Sequence, residues 1–280
     1  MAPPAARVAP RASQAAPRLT KTERAALAQR LWDGICASPY VFLGLAKTLD
    51  EHAPEGEPAV RPFPLCAVCA QDEAANERIA LRGGLSICAA HGRRHKPYFR
   101  VLGEAWRRAP WESEGIVLLE KSRQMICSWF FVELLGWQVM VRPGTRNAIQ
   151  SLNYDKACEL VERFALSYQA LPAEAQRYGP LSDSPKARAR AIRGKVEFPE
   201  IHAELVALPN GPNQTRMYTF TSLLMDECQH WEPDEDFEDS YAAGLATIKG
   251  DVNRTGRLVA LSTVHHAGSF HHRLCRGLAA

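Results

Sequence analysis

The chain has 280 residues, 46% of them hydrophobic and 23% charged, so it can bury one large core or two modest ones as an ordinary globular protein does. Its net charge of +3 indicates no class of partner, and no stretch approaches the roughly 20 consecutive apolar residues that cross a bilayer. Since the N-terminus also lacks the apolar centre of a secretory signal, we expect no membrane partner and a cytoplasmic location.

The first 18 residues are rich in Ala, Pro and Arg and show no hydrophobic period, which predicts a disordered basic arm over residues 1–18. Such an arm either contacts nucleic acid or, as is more common, is a solvated tail. Thr20 or Thr22 is a candidate helix N-cap, and apolar residues recur after it at helical spacing. The sequence therefore predicts a helical N-terminal segment over residues 19–64.

Two short cysteine and histidine pairs follow the prolines at residues 58–64. The four residues of these pairs are Cys66, Cys69, Cys88 and His91. Thiolate and imidazole at this spacing are typical of structural zinc sites, in which four protein ligands leave no open coordination position. We therefore predict a zinc-knuckle insertion over residues 65–96, with His95 as an alternative ligand and a chance arrangement of buried thiols as the competing interpretation. The basic run at residues 93–96 is either a DNA-binding flank or a solvated face.

From residue 97 onward, apolar stretches of strand type alternate with helical patterns. The predicted strands lie at residues 116–119, 137–141, 196–198, 201–208, 222–225 and 257–261. The predicted helices lie at residues 99–106, 129–135, 157–168 and 239–248, and a basic loop is predicted at residues 186–195. Strands that alternate with helices imply a mostly parallel sheet flanked by helices, and hence an α/β core over residues 97–280.

The first strand of this core leads into a segment of phosphate-binding type, residues 121–128, which an apolar helix follows. Backbone N–H groups at such a turn can face phosphate oxygens, with a lysine as point charge and a serine hydroxyl on the magnesium side. The standard glycine-rich pattern is absent, because Ile126 replaces its glycine and Cys127 its lysine. By itself, an ordinary strand, loop and helix is therefore the better interpretation of this segment.

A second motif, residues 221–227, is an apolar strand that ends in two adjacent carboxylates. An acid at the end of a buried strand can reach Mg²⁺ through water, and its neighbour can orient the attacking water. We therefore predict that Asp226 binds magnesium and that Glu227 orients water, so that both are catalytic. The competing interpretation is a solvated pair at a helix N-terminus, where the dipole also favours acids.

A third apolar strand ends in Ser262 and Thr263. In this order, the three motifs resemble those of the large terminase subunit of tailed phages, in the branch whose deviant Walker A motif has its lysine at the start of the loop. The matching segments are Lys121-Ser122-Arg123-Gln124-Met125 with Ser128-Trp129, Leu208–Pro212 with Arg216 and Tyr218, Leu224-Met225-Asp226-Glu227, and Ser262-Thr263 with Gly268-Ser269-Phe270. Together the resembling segments extend over residues 36–64 and 97–275.

This resemblance implies a P-loop NTPase-type fold for residues 97–280 and assigns roles to the motif residues. The residues implied to bind ATP are Lys121, Ser122, Arg123, Gln124 and Ser128. The resemblance also implies that Ser128 and Asp226 hold Mg²⁺, and that Ser262 and Thr263 couple hydrolysis to movement.

The implied function is that of an ATPase motor, in which Mg²⁺-dependent ATP hydrolysis drives duplex DNA into a prohead. The implied partners are double-stranded DNA, the small terminase subunit, the portal and further copies of the chain, within the cytoplasm of a bacterial host of a phage or prophage. The chain stops at Ala280, too soon for the family's nuclease domain, so we expect no nuclease activity. Two alternatives stay open, namely a non-catalytic terminase-like module that binds DNA or protein and keeps the structural zinc site, and a helicase-like ATPase of another lineage.

Three further groups of residues have a less specific pattern. The histidines at 265, 266, 271 and 272 match no complete metal site and are expected in a solvated loop. The acidic run at residues 232–239 is expected to form a charged surface and a helix start. Arg123 and Arg216 are candidates for phosphate contacts, although an arginine finger can also come from a neighbouring subunit.

Overall fold

The computed structural model describes residues 20–49, 58–82, 88, 91–108, 115–123, 125–249, 256–265 and 267–278. The predicted basic arm at residues 1–18, the candidate phosphate ligand Gln124 and His266 lie outside these ranges. Within them, no helix has both the length and the apolar character that spanning a bilayer requires.

Five helices and one small strand pair make up the N-terminal third of the described chain. They are α1 (Lys21–Ala37), α2 (Pro39–Leu45), β1 (Lys47–Leu49), β2 (Val60–Pro62), α3 (Ala67–Gln71), α4 (Glu73–Leu81) and α5 (Tyr98–Arg108), with β1 and β2 antiparallel. Thr20, one of the two predicted caps, begins α1: its hydroxyl accepts a hydrogen bond from the Glu23 N–H, and the Glu23 carboxylate accepts one from the Thr20 N–H. This reciprocal capping satisfies N–H groups that a helix start leaves without partners.

An eight-stranded sheet forms the rest of the fold. Its strands are β3 (Ile116–Lys121), β4 (Arg146–Gln150), β5 (Leu181–Ser182), β6 (Ala189–Ile192), β7 (Lys195–Phe198), β8 (Ala203–Leu208), β9 (Ser222–Asp226) and β10 (Leu258–Thr263). The strand order is β3-β10-β9-β4-β8-β7-β6-β5, and the first five strands in this order are mutually parallel. The prediction of a mostly parallel, helix-flanked sheet is therefore confirmed.

Helices cover both faces of the parallel strands. They are α6 (Cys127–Val141), α7 (Tyr154–Gln169), α8 (Pro212–Arg216), α9 (Asp234–Lys249) and α10 (Phe270–Cys275). The larger core lies between one face of the sheet and α6, α7 and the N-terminal helices, while the smaller core lies between the other face and α9 and α10. Every residue of β9 is buried, as expected for a central strand covered on both faces.

Two of the predicted elements were wrong. Residues 137–141 form the last turns of α6 and not a strand. Because α6 is buried on nearly all sides, its hydrophobic residues are not confined to one face. They therefore show no 3.6-residue period by which the sequence could distinguish a buried helix from a buried strand. The predicted basic loop at residues 186–195 contains β6, whose arginine side chain at position 190 pairs with Glu197 of the neighbouring β7.

One charged residue lies entirely inside the larger core. Glu133, in α6, is fully buried; the indole N–H of Trp129 donates to its Oε1 at 3.0 Å, and the Ser167 hydroxyl donates to the same atom at 2.6 Å. Its Oε2 has no hydrogen-bond partner among the described residues. Burial raises the pKa of Glu133 to about 8, so this carboxyl is mainly protonated at neutral pH.

Candidate nucleotide-binding site and metal cluster

The candidate site lies where the carboxyl ends of three parallel strands meet. In the sheet, β10 lies between β3 and β9, and it pairs Thr263 with Lys121 and Leu261 with Asp226. The lysine at the end of β3, the hydroxyl at the end of β10 and the acid at the end of β9 therefore share one edge. This is the edge at which open α/β sheets bind ligands.

Glu227 is the centre of this site. Its Oε1 lies 2.6 Å from Lys121 Nζ, and its Oε2 accepts hydrogen bonds from the Thr263 N–H at 3.1 Å and the Thr263 hydroxyl at 2.9 Å. Its backbone has a φ of 53°, a left-handed turn that directs the chain away from β9. Burial acts to raise the pKa of Glu227, but the hydrogen bonds from Lys121 and Thr263 outweigh it, so the pKa is lowered and the carboxylate is charged.

Asp226 faces the helix that follows the lysine. The Ser128 hydroxyl, in the first turn of α6, donates to Asp226 Oδ1 at 2.7 Å. Burial raises the pKa of Asp226 to about 6, although nearby Lys121 acts to lower it. A hydroxyl and a carboxylate oxygen are the ligand types that Mg²⁺ prefers, and they stand here beside the lysine, so these two residues fit a magnesium ion.

The segment at residues 121–128, called the phosphate loop below, turns sharply before α6. Ile126 has a φ of 58° and precedes the first residue of α6, and its carbonyl accepts a hydrogen bond from the Phe130 N–H at 3.0 Å. Its side chain packs against the larger core. A β-branched residue in this left-handed conformation is a backbone outlier. The conformation that glycine usually supplies is thus present, although the glycine is not.

An open hollow of about 360 Å³ lies between the phosphate loop and the acidic pair. Its lining consists of Lys121, Arg123, Leu152, Glu227, His230 and Thr263. Arg123 and Ser122 are exposed in the loop, whereas Arg216, at the end of α8, is exposed and is not among the residues that line the hollow. The structure therefore brings Lys121, Arg123 and Glu227 together.

The two predicted coupling residues have different surroundings. Thr263 lines the hollow and bonds to Glu227. Ser262 is buried; its hydroxyl accepts from the Gln229 N–H at 3.1 Å and donates to the Thr263 carbonyl at 2.9 Å. Ser262 thus joins β10 to the turn after Glu227, and Thr263 is the one that contacts the carboxylate strongly.

His230 is a residue of the hollow that the sequence motifs did not identify. Its Nε2 lies 2.9 Å from Thr263 Oγ1 and 3.8 Å from Glu227 Oε2. Burial is the main cause of a lowered His230 pKa, so the ring is mainly neutral at neutral pH. The sequence signal that could have identified His230 was its position three residues after Glu227. In the structure, the short 3₁₀ turn Cys228–His230 brings its side chain back to the edge of the sheet.

Two of the four C-terminal histidines do not lie in a solvated loop, so that expectation was wrong for them. Ser269 caps α10, and this helix carries His271 into the smaller core, where its Nε2 lies 3.2 Å from the Ala260 carbonyl. His272 Nδ1 lies 2.6 Å from Glu120 Oε1. Glu120, His271 and Cys275 also form a possible metal-binding group, but hydrogen bonds within the protein already engage the first two. His265 is exposed after β10, as expected.

The predicted zinc ligands form a cluster, called the metal cluster below. The ligand atoms of Cys66, Cys69, Cys88 and His91 all lie within 4.8 Å of one another. Ligand atoms around one tetrahedral zinc ion lie roughly 3.5 to 4 Å apart, and three thiols with one imidazole make a donor set that this metal prefers. The cluster is therefore compatible with a closed zinc site.

His95, considered from the sequence as an alternative ligand, lies outside the cluster. It is fully buried, its Nδ1 accepts a hydrogen bond from the Cys66 N–H at 3.1 Å, and its Nε2 lies 2.7 Å from Asn76 Oδ1. Because both ring nitrogens are engaged, His95 supports the backbone of a ligand and has no free nitrogen for the metal.

No protein-family model matches the sequence, and no curated protein sequence matches it significantly. Among solved structures, the large terminase of bacteriophage HK97 is similar over 69% of this chain and 39% of that one, with 14% identity and a TM-score of 0.48. The ATPase domain of the large terminase of Thermus phage P74-26 is similar over 60% of this chain and 68% of that one, with 17% identity and a TM-score of 0.42. The chain spans 39% of the length of the HK97 protein.

Proposed function

We propose that the chain is an ATPase of the large-terminase type, which binds Mg²⁺-ATP in the hollow and hydrolyses it. The observation that carries this proposal is a set of groups within hydrogen-bonding distance of one another: Lys121 and Thr263 at the ends of two strands, the acidic pair at the end of a third, and the Ser128 hydroxyl in the first turn of α6. These are the parts that phosphoryl transfer needs, since its catalysis consists mainly of positioning and charge stabilisation.

Each residue has a distinct role in this proposal. Lys121 supplies the positive charge for the terminal phosphates, and an incoming phosphate replaces Glu227 as its partner. Glu227 then accepts a hydrogen bond from the attacking water while Thr263 still holds its Oε2. Mg²⁺ held by Ser128 and Asp226 would neutralise charge on the phosphate oxygens. Arg123, exposed in the same hollow, and the N–H groups of the phosphate loop are the remaining phosphate contacts.

Thr263 and His230 form the connection from the site to the rest of the sheet. When a phosphate takes over Lys121, Glu227 Oε1 loses its partner, and any resulting shift of the carboxylate is transmitted to β10 through the bonds of Thr263 to Oε2. We propose that this is how hydrolysis is coupled to movement, and that the movement drives duplex DNA into a prohead. The proposed partners are accordingly the DNA, the small terminase subunit, the portal and further copies of the chain, and we further propose a structural zinc ion in the metal cluster.

One observation favours a second candidate function, a non-catalytic module that binds DNA or protein. Ile126 adopts the conformation of the missing glycine at a cost of roughly 1 to 2 kcal/mol. Its branched side chain, which is only partly buried against the larger core, lies next to the backbone N–H that would face a phosphate. If that side chain prevents phosphate from approaching the loop, only the metal cluster and the basic run at residues 93–96 retain a role.

The deciding experiment measures nucleotide binding and Mg²⁺-dependent ATP hydrolysis by the parent chain and by Glu227→Gln. We expect the parent to bind and hydrolyse ATP, and the variant to bind ATP but to hydrolyse it at least about 100-fold more slowly, because the uncharged amide is a weaker acceptor for the hydrogen bond that orients the attacking water. Failure of the parent chain to bind ATP would contradict the ATPase proposal and favour the non-catalytic module. Ile126→Gly then tests the reason, since restored binding would identify the side chain as the obstacle.

A further inference from the structure

We infer that the metal cluster holds the phosphate loop in its strained shape through Tyr98, so that metal occupancy sets the affinity for nucleotide. The part concerning nucleotide affinity rests on the proposed function, whereas the part concerning the loop does not. Tyr98 is therefore assigned as a positioning residue of the site.

The phosphate loop needs an outside contact because its own sequence does not favour its shape. A β-branched residue strongly disfavours the left-handed conformation that Ile126 adopts. Such a conformation persists only where surrounding structure imposes it. Two contacts with α6 and the core help to impose this conformation. The Phe130 N–H donates a hydrogen bond to the Ile126 carbonyl, and the Ile126 side chain packs against the larger core.

A third contact comes from a different part of the chain. The Tyr98 hydroxyl, at the start of α5, donates a hydrogen bond to the carbonyl of Met125, the residue directly before Ile126. Burial raises the pKa of Tyr98, so the hydroxyl keeps its proton and remains a donor across the ordinary pH range. This bond fixes the peptide plane on the N-terminal side of the strained residue.

The position of Tyr98 is fixed by contacts of the residues next to it in the chain. The neighbouring Phe99 is fully buried and stacks on Phe130 of α6, with ring centroids 4.9 Å apart and an interplanar angle of 8°. Phe99 also contacts Phe63, at 5.2 Å between centroids, and the Lys96 N–H donates to the Pro64 carbonyl at 2.9 Å. The start of α5 is thus attached to the segment between β2 and α3, which leads into the metal cluster.

The metal cluster determines where that attachment lies. His95 stands between the ligand His91 and Tyr98 in the chain, and its ring receives the N–H of the ligand Cys66 at 3.1 Å. On the opposite side, Arg100 of α5 donates to the carbonyl of Ala70, in the helix that carries the ligand Cys69, at 2.9 Å. His95 and Arg100, on either side of Tyr98, are therefore bonded to the segment that carries Cys66 and Cys69, while the chain enters α5 from the segment that carries Cys88 and His91.

Loss of the metal should therefore change the conformation of the phosphate loop. Without an ion, the described contacts that join Cys66 and Cys69 to Cys88 and His91 are weak ones between thiols and an imidazole, so the segment from which the chain enters α5 gains freedom. The bond from Tyr98 to Met125 is then populated less, and the loop spends less time in the shape that Ile126 does not favour. Affinity falls in proportion to the population of the competent shape.

The test compares the zinc-loaded full chain with its Tyr98→Phe variant and with zinc-stripped protein, using amide hydrogen exchange over residues 125–130 and titration with a fluorescent ATP analogue. Tyr168→Phe is the matched control, since its buried hydroxyl also bonds to a backbone group, the Tyr178 N–H at 3.3 Å, far from the loop in sequence. We expect exchange over residues 125–130 to rise about fivefold in Tyr98→Phe, the effect of one hydrogen bond, and not in the control.

Two further results distinguish positioning from general destabilisation. Zinc removal should raise amide hydrogen exchange over residues 125–130 in the parent protein, and re-addition of zinc should reverse this increase. In Tyr98→Phe, zinc removal should raise exchange little further, because both changes act through the bond from Tyr98 to Met125. In an Ile126→Gly background, Tyr98→Phe should change the affinity for nucleotide less than about twofold, since glycine adopts the left-handed conformation readily. Unchanged exchange in Tyr98→Phe or in zinc-stripped protein overturns the inference, even if ATP binds. Raised exchange in a parent chain that binds no ATP supports the loop contact and contradicts the proposed function instead.

Discussion

Lys121 Nζ and Glu227 Oε1 lie 2.6 Å apart, so the lysine proposed for phosphate and the carboxylate proposed for water are each other's counter-ion. Both side chains are largely removed from solvent, at 7% and 23% exposure. Neither charge is left uncompensated in the free protein, and a bound phosphate has to compete with Glu227 for the lysine. Binding and activation of the carboxylate are therefore one event in the proposed mechanism.

Lys121→Ala should weaken ATP binding by roughly 10- to 100-fold, because a charged hydrogen bond to phosphate contributes about 1.5 to 3 kcal/mol. Calorimetric titration with a slowly hydrolysed ATP analogue measures this. Arg123→Ala, which removes an exposed cation from the same hollow, is the matched control and should have a smaller effect. Equal losses in the two variants would mean that the hollow attracts phosphate by net charge and not through Lys121.

Ser128→Ala should raise the Mg²⁺ concentration needed for half-maximal hydrolysis by about tenfold or more, since the hydroxyl beside Asp226 is lost as a ligand. Nucleotide binding measured without Mg²⁺ should change little. Ser122→Ala alters an exposed serine of the same loop and serves as the control. A Mg²⁺ requirement that stays the same in Ser128→Ala would remove this residue from the metal site.

Purified protein should contain about one equivalent of zinc, and Cys88→Ser should contain less than about half an equivalent, because four ligands are needed for a closed site. Mass spectrometry of the metal content provides the measurement. Cys36→Ser changes an exposed thiol outside the cluster and should keep its zinc. Zinc bound equally by both variants would place the metal elsewhere.

Glu133→Gln should make folding less dependent on pH. The pKa of Glu133 is raised from 4.5 to about 8 by burial, so the folded state binds this proton more tightly than the unfolded state. The stability of the parent protein relative to the variant therefore falls as pH rises from about 4.5 to about 8, by roughly 3 to 5 kcal/mol in total. Urea denaturation at pH 5 and pH 9 measures the difference, with Glu162→Gln on the exposed side of α7 as control. A difference that does not change with pH would show that Glu133 is charged in the fold.

The parts of the site that the sequence predicted are those at the ends of regular strands. Asp226, Glu227 and Thr263 follow apolar runs of strand type, and parallel strands bring such ends to one edge whatever their order. The strand order, in which β10 separates β3 from β9, depends on long-range pairing that no local pattern encodes. For the same reason, the contact between Tyr98 and Met125 was not predictable.

The errors have local causes. Residues 137–141 are apolar on every side because α6 is enclosed, so the spacing of hydrophobic residues does not distinguish a helix from a strand there. His271 was expected in a solvated loop because the four histidines match no complete metal site, but Ser269 starts a helix that turns His271 inward. His230 was missed because a single histidine after an acidic pair matches no motif, and only the tight turn at Cys228–His230 directs it to Thr263.

Glu120 and Lys121 are consecutive residues of β3 and so face opposite sides of the sheet, one toward His272 and the other toward Glu227. Depending on its direction, a slip of β3 by one position against β10 would put either Glu120 in the place of Lys121 or Lys121 in the place of Glu120. The first slip would bring a carboxylate to the acidic pair, and the second would bring an ammonium group to the guanidinium of Arg276, which lies 3.7 Å from Glu120. Charge repulsion thus disfavours a misaligned sheet in either direction, and the charges of the proposed nucleotide site also help to select the register of β3 during folding.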